Sequence, residues 1–217
     1  MASLRPATNS LVSAIAASAC VLAAVAHGEI ITSNLSDPNP DGGSFVNSAF
    51  PQRAQAFLTT ATGTQISSVT MDVASSTASQ PFSVKLYSAG TAGKPGLSVA
   101  TLFSGTGGNI AASPFVISGL SVNLAPSTQY FVVMEAAGTF AGQWNYNLET
   151  TGTGGGFLVD NSLAQTSIDN WQAVSTSAPY RMEIVAVPEP PALVLAGIAV
   201  SAGILGIGRR RQRQSRG

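Results

Sequence analysis

Polar and apolar residues alternate through the middle of this chain. In Ile66-Ser67-Ser68-Val69-Thr70-Met71-Asp72-Val73, the residues Val69, Met71 and Val73 fall on one face of an extended segment. Phe82, Val84 and Leu86 do the same further on, with Lys85 turned the other way. Residues 130–135 break the alternation with a run of Tyr, Phe, Val, Val and Met before Glu135, the pattern of a strand covered on both faces. Alternation returns at 181–187, where Met182, Ile184 and Ala186 point inward. Between these runs stand turn formers, as in 89–96 and 151–156. No stripe recurs every three or four residues between 27 and 187. The pattern predicts an all-β fold, an antiparallel, jelly-roll-like β-sandwich of about eight to ten strands.

Two longer apolar runs flank this region. Arg5 and the uncharged residues 11–25 are followed by Ala24-Val25-Ala26, which predicts a signal-peptide helix over 1–26 with Ala24 and Ala26 as the small residues of the cleavage site. Such a segment is handed to the Sec export machinery. An uncleaved anchor and a lipoprotein built on Cys20 are the alternatives. The stretch is short, and Ala17-Ser18-Ala19 lacks the large aliphatic residue a lipoprotein cysteine expects. At the other end, residues 192–208 are uncharged: eight are Leu, Ile or Val and nine are Ala, Gly or Ser. As a helix this span reaches about 25 Å, within the usable range for crossing a bilayer. Arg209, Arg210 and Arg211 follow it, and the positive-inside rule keeps them cytoplasmic, so that everything before Val187 lies outside. The expected organisation is a signal peptide over 1–26, an exported domain over 27–186 and a C-terminal segment over 187–217. The last divides into a proline-rich motif (187–191), a transmembrane helix (192–208) and a basic tail (209–217).

Charge and cysteine use narrow the chemistry of the exported part. The formal charge of the whole chain is zero, yet residues 27–187 hold four positive and nine negative side chains, a balance of −5. An acidic domain without a basic patch is a poor partner for nucleic acid. Cleavage after Ala26 removes Cys20, the one cysteine, and leaves no disulfide or thiolate chemistry. About 160 residues suffice for one domain with its own core.

Val187-Pro188-Glu189-Pro190 followed by a short apolar span and terminal arginines resembles the PEP-CTERM sorting signal. The resemblance covers about the last thirty residues. It implies recognition of Val187, Pro188, Glu189 and Pro190 by exosortase, a membrane-embedded cysteine protease, with release to the cell surface or extracellular matrix of a Gram-negative bacterium. Proline-rich backbone stays extended, a form a processing enzyme can bind, and four glycines and four alanines keep insertion of the span marginal. The alternative is an ordinary single-pass anchor without processing. Ala54-Gln55-Ala56-Phe57, the run at 82–87, Gly119-Leu120 and Leu124-Ala125-Pro126-Ser127-Thr128-Gln129-Tyr130 are similar to the "choice-of-anchor" exported β-sandwich domains. That similarity implies export and a surface life, and no activity. Residues 126–128 are expected to form a turn that sets Tyr130 into a buried strand.

Candidate chemistry is sparse. His27, the sole histidine, lies at the cleavage junction, so a Ser-His-Asp triad or a multi-histidine zinc site lacks parts. Glycoside hydrolysis needs two facing carboxylates, and nothing in the spacing of Asp160 and Asp169, or of Glu135 and Glu149, brings a pair together. Asp37-Pro38-Asn39-Pro40-Asp41-Gly42 matches the opening of a calcium loop, with Asp37, Asn39 and Asp41 at alternate positions. Its twelfth position is Ser48, however, and a proline-and-Asx turn explains the same residues. Trp144 and Tyr146, two apart, share a face of a strand and with Trp171 could stack on sugar rings. Core packing is the competing account of the same three aromatics. The sequence is thus read as a non-enzymatic, exosortase-sorted surface or matrix protein with a structural or adhesive sandwich. It is expected to need no cofactor. A carbohydrate-binding module for exopolysaccharide is the alternative, and a glycan hydrolase comes third.

Overall fold

The computed structural model describes residues 28–36, 39–61, 64–111, 113–148, 152–154, 162–165, 171–173 and 178–188. They form strands β1 (Glu29–Ser33), β2 (Gly42–Val46), β3 (Gln52–Leu58), β4 (Thr64–Met71), β5 (Val73–Ser75), β6 (Pro81–Ala89) and β7 (Pro95–Thr106). These are followed by β8 (Phe115–Leu124), β9 (Gln129–Ala136), β10 (Gly142–Tyr146), β11 (Ser162–Gln165), β12 (Trp171–Ala173) and β13 (Met182–Pro188). The only helical pieces among the described residues are two three-residue 3₁₀ turns, at Thr91–Gly93 and Gly107–Asn109. No helix among them is long and apolar enough to cross a membrane. The expected signal-peptide and transmembrane helices lie outside the described residues.

The thirteen strands among the described residues exceed the eight to ten expected, because short partners such as β5 and β12 carry too few residues to show an alternation. All pairings between strands are antiparallel, in three sheets: β1-β13-β4-β8, β2-β10-β5 and β12-β11-β3-β9-β6-β7. Side chains from all three sheets meet in one apolar core. Val69, Met71 and Val73 point into it, as do Phe82, Val84 and Leu86 and, from β13, Met182, Ile184 and Ala186. Phe82 lies at the centre of a ring cluster, 5.2 Å from Phe103, 6.0 Å from Phe115 and 5.1 Å from Phe140. These contacts tie the four-stranded sheet to the six-stranded one.

β9 is covered on both faces, as its unbroken apolar run predicts. Tyr130, Val132 and Met134 enter the main core, whereas Phe131 and Val133 join a second cluster with Ala54, Ala56 and Trp171 on the far side of the six-stranded sheet. The turn before it forms as expected. Ser127 adopts a positive φ of 48°, and the Ala125 amide donates to the Tyr130 hydroxyl at 3.1 Å.

Bulges place side chains that alternation alone would misplace. An extra residue in β1, between Ile30 opposite Val185 and Thr32 opposite Ile184, brings Ile31 into the core and leaves Ile30 exposed. β1 and β13, the first and last strands, are neighbours, with Glu29 opposite Ala186.

Candidate functional site

The polypeptide passes from the four-stranded to the three-stranded sheet through one residue, Asp72, which separates β4 from β5. Three backbone hydrogen bonds close a ring at this junction. The Asp72 amide donates to the Arg181 carbonyl (3.1 Å), the Arg181 amide to the Asn145 carbonyl (2.8 Å), and the Asn145 amide to the Asp72 carbonyl (2.9 Å). Asn145 comes from β10 and Arg181 from the residue ahead of β13, so each of three segments gives and receives one bond. A closed ring leaves these backbones little freedom, and the side chains they carry inherit fixed directions.

Those side chains are polar and converge. Arg181 Nε lies 3.1 Å from Asp72 Oδ2 as an ion pair, with both side chains largely buried. Asn145 Nδ2 donates to Asp72 Oδ1 at 2.9 Å, and the Ser113 hydroxyl donates to the same oxygen. Behind the ring, the indole Nε1 of Trp144 donates to the Arg181 carbonyl at 3.0 Å. The four polar residues line an open cavity of about 420 Å³, completed by Leu35, Pro40 and Pro114. Sequence reasoning missed this site, since Asp72, Asn145 and Arg181 lie far apart in the chain. The available signal was a charged residue, Asp72, between two inward-facing apolar ones.

A second polar cluster lies on the far face of the six-stranded sheet. Glu135 Oε1 accepts from Tyr87 OH (2.6 Å) and Gln52 Nε2 (2.8 Å), while Oε2 faces Lys85 Nζ (2.6 Å) and Ser83 (3.3 Å). Burial, then the hydrogen bond to Glu135 and its charge, push the Tyr87 phenol well above its ordinary value. Four partners occupy this carboxylate, and Lys85 offsets its charge. This arrangement pins three strands together.

The residues singled out from the sequence are distributed differently from a sugar-stacking platform. Trp144 and Tyr146 share a face, but that face looks into the core. Trp144 is 0% exposed and stacks on Tyr180 with centroids 4.7 Å apart, and Tyr146 packs half-buried against the same core. β10 is the central strand of its sheet, and the face that carries these two rings packs against the main core. Trp171 is 7% exposed and belongs to the second apolar cluster, on the other side of the six-stranded sheet. The three rings therefore make no joint exposed surface, and packing accounts for Trp144 and Trp171.

In the segment read as a calcium loop or a turn, Asp41 Oδ2 accepts the Leu148 amide at 2.7 Å and the Asp41 amide donates to the Tyr146 carbonyl at 3.0 Å, contacts that tie it to the end of β10 and the residues after it. Asn39 is exposed, and Asp37 lies outside the described residues. No group of three or more metal-ligating His, Cys, Asp or Glu occurs among the described residues.

Of the sorting residues, Val187 and Pro188 lie in β13, opposite Gln65 and Thr64 of β4. The sheet thus runs two residues past the boundary expected at 186, into the proline-rich motif. Glu189, Pro190, Arg209, Arg210 and Arg211 lie outside the described residues, as do Ala24, Ala26 and the acids Glu149, Asp160 and Asp169. No protein-family model matches this chain, and no curated protein matches it.

Proposed function

We propose that this chain is an exported protein, delivered by a signal peptide over 1–26 and a PEP-CTERM-like tail over 187–217, whose jelly-roll-like β-sandwich serves a structural or adhesive role at the cell surface or in the extracellular matrix without catalysis. One observation supports this reading most. The described strands all lie between the two expected cuts: β1 starts three residues after Ala26, and β13 reaches Pro188, inside the motif. A cut after Ala26 and another beyond Pro188 would remove both apolar runs and leave every described strand whole. Exosortase and the Sec machinery are the partners this reading requires, and the span at 192–208 would hold the membrane until the tail is cut.

The test is the intact mass of the protein from native cells, measured separately in membrane and extracellular fractions. An extracellular species running from near His27 to near Pro188 is expected. A membrane species that retains residues 209–217 as the sole product would leave an unprocessed anchor and overturn the sorting reading.

A further inference from the structure

We infer that the cavity above Asp72, Asn145 and Arg181 is a binding site for a neutral polyhydroxylated ligand, a single sugar ring of a glycan. Its floor is charged yet balanced, with one carboxylate against one guanidinium 3.1 Å away. A phosphate or a metal ion would meet a charge of its own sign there and gain little. A vicinal diol meets what it needs, acceptors and donors side by side. Asn145 Oδ1 accepts from Gln143 Nε2 at 2.8 Å, and its Nδ2 donates to Asp72. What these residues keep for a ligand is the second Nδ2 hydrogen of Asn145, the lone pairs of the Ser113 hydroxyl and an acceptor position on Asp72, all lining one cavity beside the Arg181 guanidinium. A carboxylate has about four acceptor positions, and three contacts occupy those of Asp72.

The walls suit the other side of such a ligand. Leu35, Pro40 and Pro114 supply apolar surface against which the C–H face of a sugar can rest. The volume of about 420 Å³ falls in the range of small-ligand sites. The backbone ring fixes the polar groups before any ligand arrives, so little ordering is left for binding to cost. Stability alone gives no strong reason for this floor. Packed apolar residues often serve as well as a buried ion pair. The site owes nothing to Trp144, Tyr146 or Trp171 as stacking rings, and it stands whether or not the C-terminal tail is cut.

The chain holds two tryptophans, and Trp144 is bonded to Arg181, so its indole N–H resonance is a local reporter. The full chain, held in a sugar-free detergent, is titrated with glucose, galactose, mannose and N-acetylglucosamine, and separately with galacturonate and inorganic phosphate. At least one neutral sugar is expected to shift the Trp144 resonance saturably, with a dissociation constant on the order of 1 mM. Asn145→Ala and Ser113→Ala are each expected to weaken that binding about fivefold or more. Retained dispersion of the backbone amide resonances and an unchanged melting midpoint in the ligand-free variants show that the fold is kept. No saturable shift with any neutral sugar up to tens of millimolar, or equal binding by both variants, overturns the site. Saturation by galacturonate or phosphate alone overturns the argument from a balanced floor.

Discussion

Single residues in this protein are held by burial first and by one or two directed bonds second. Trp144 illustrates the order: its ring is enclosed, and its one polar atom is satisfied by the Arg181 carbonyl. Trp144→Ala is expected to cost about 3–5 kcal/mol in urea unfolding, and Trp144→Phe less, because the phenyl fills most of the space and loses the hydrogen bond. The tyrosines carry a second expectation. Tyr87 and Tyr180 both have raised phenol pKa values, each chiefly through burial. A raised value in the folded state means that the folded chain keeps a proton which the unfolded chain loses near pH 10. The contribution of each phenol is therefore complete below about pH 10 and declines as pH rises beyond it. Ultraviolet titration, compared with the Tyr87→Phe and Tyr180→Phe variants, should show these two phenols ionising late, together with unfolding. Ionisation of either near pH 10 in the folded chain would contradict this.

At the scale of elements, the strands that could be read were those with an uncovered alternation or an unbroken apolar run. β4, β6, β9 and β13 fall where the pattern puts them. The bulge that sends Ile31 inward and Ile30 outward is set by the partner strand, and no local pattern records it. The cavity was illegible for the same reason. Asp72 and Asn145 are brought together across 73 positions by the joining of two sheets. The spacing of Trp144 and Tyr146 places them on one face, where they lie, but which side of a sheet is covered depends on residues elsewhere.

Two predictions belong here. A chain that ends at Pro188 should melt as the longer chain does, while one that ends at Ala186 loses two ladder positions against β4 and about 1–2 kcal/mol. Equal stability of the two would place the motif outside the sheet's cooperative unit. The Asp41 segment, whose carboxylate already holds the Leu148 amide, should leave the melting temperature unmoved in millimolar calcium. A rise on adding calcium would restore the metal reading of that loop.

For the whole molecule, the edges of the sheets raise a question of solubility. β7 and β8 each close one edge and contain no charged residue, so the usual device of edge lysines is absent from them. Bulges take its place. The β6–β7 register shifts three times, and the β4–β8 register once, with three residues of β8 set against one of β4. A broken edge offers no straight row of amides to a second chain. Under the proposed sorting, charge matters instead in the tail: replacing Arg209, Arg210 and Arg211 with neutral residues should leave the domain misoriented or the tail uncut, visible by protease accessibility from outside the cell. Normal orientation and processing of that variant would remove the charge argument.

The adjacency of β1 and β13 has a mechanical consequence. The start of β1 lies beside the end of β13, so the first and last described strands end at the same corner of the sheet. A force pulling those ends apart would load their hydrogen bonds one at a time, as a zipper opens, and not all together in shear. The domain would be weak when stretched between its own termini. Held by the C-terminal end alone and pulled through a contact elsewhere, it would take the load through β13, a strand bonded on both sides.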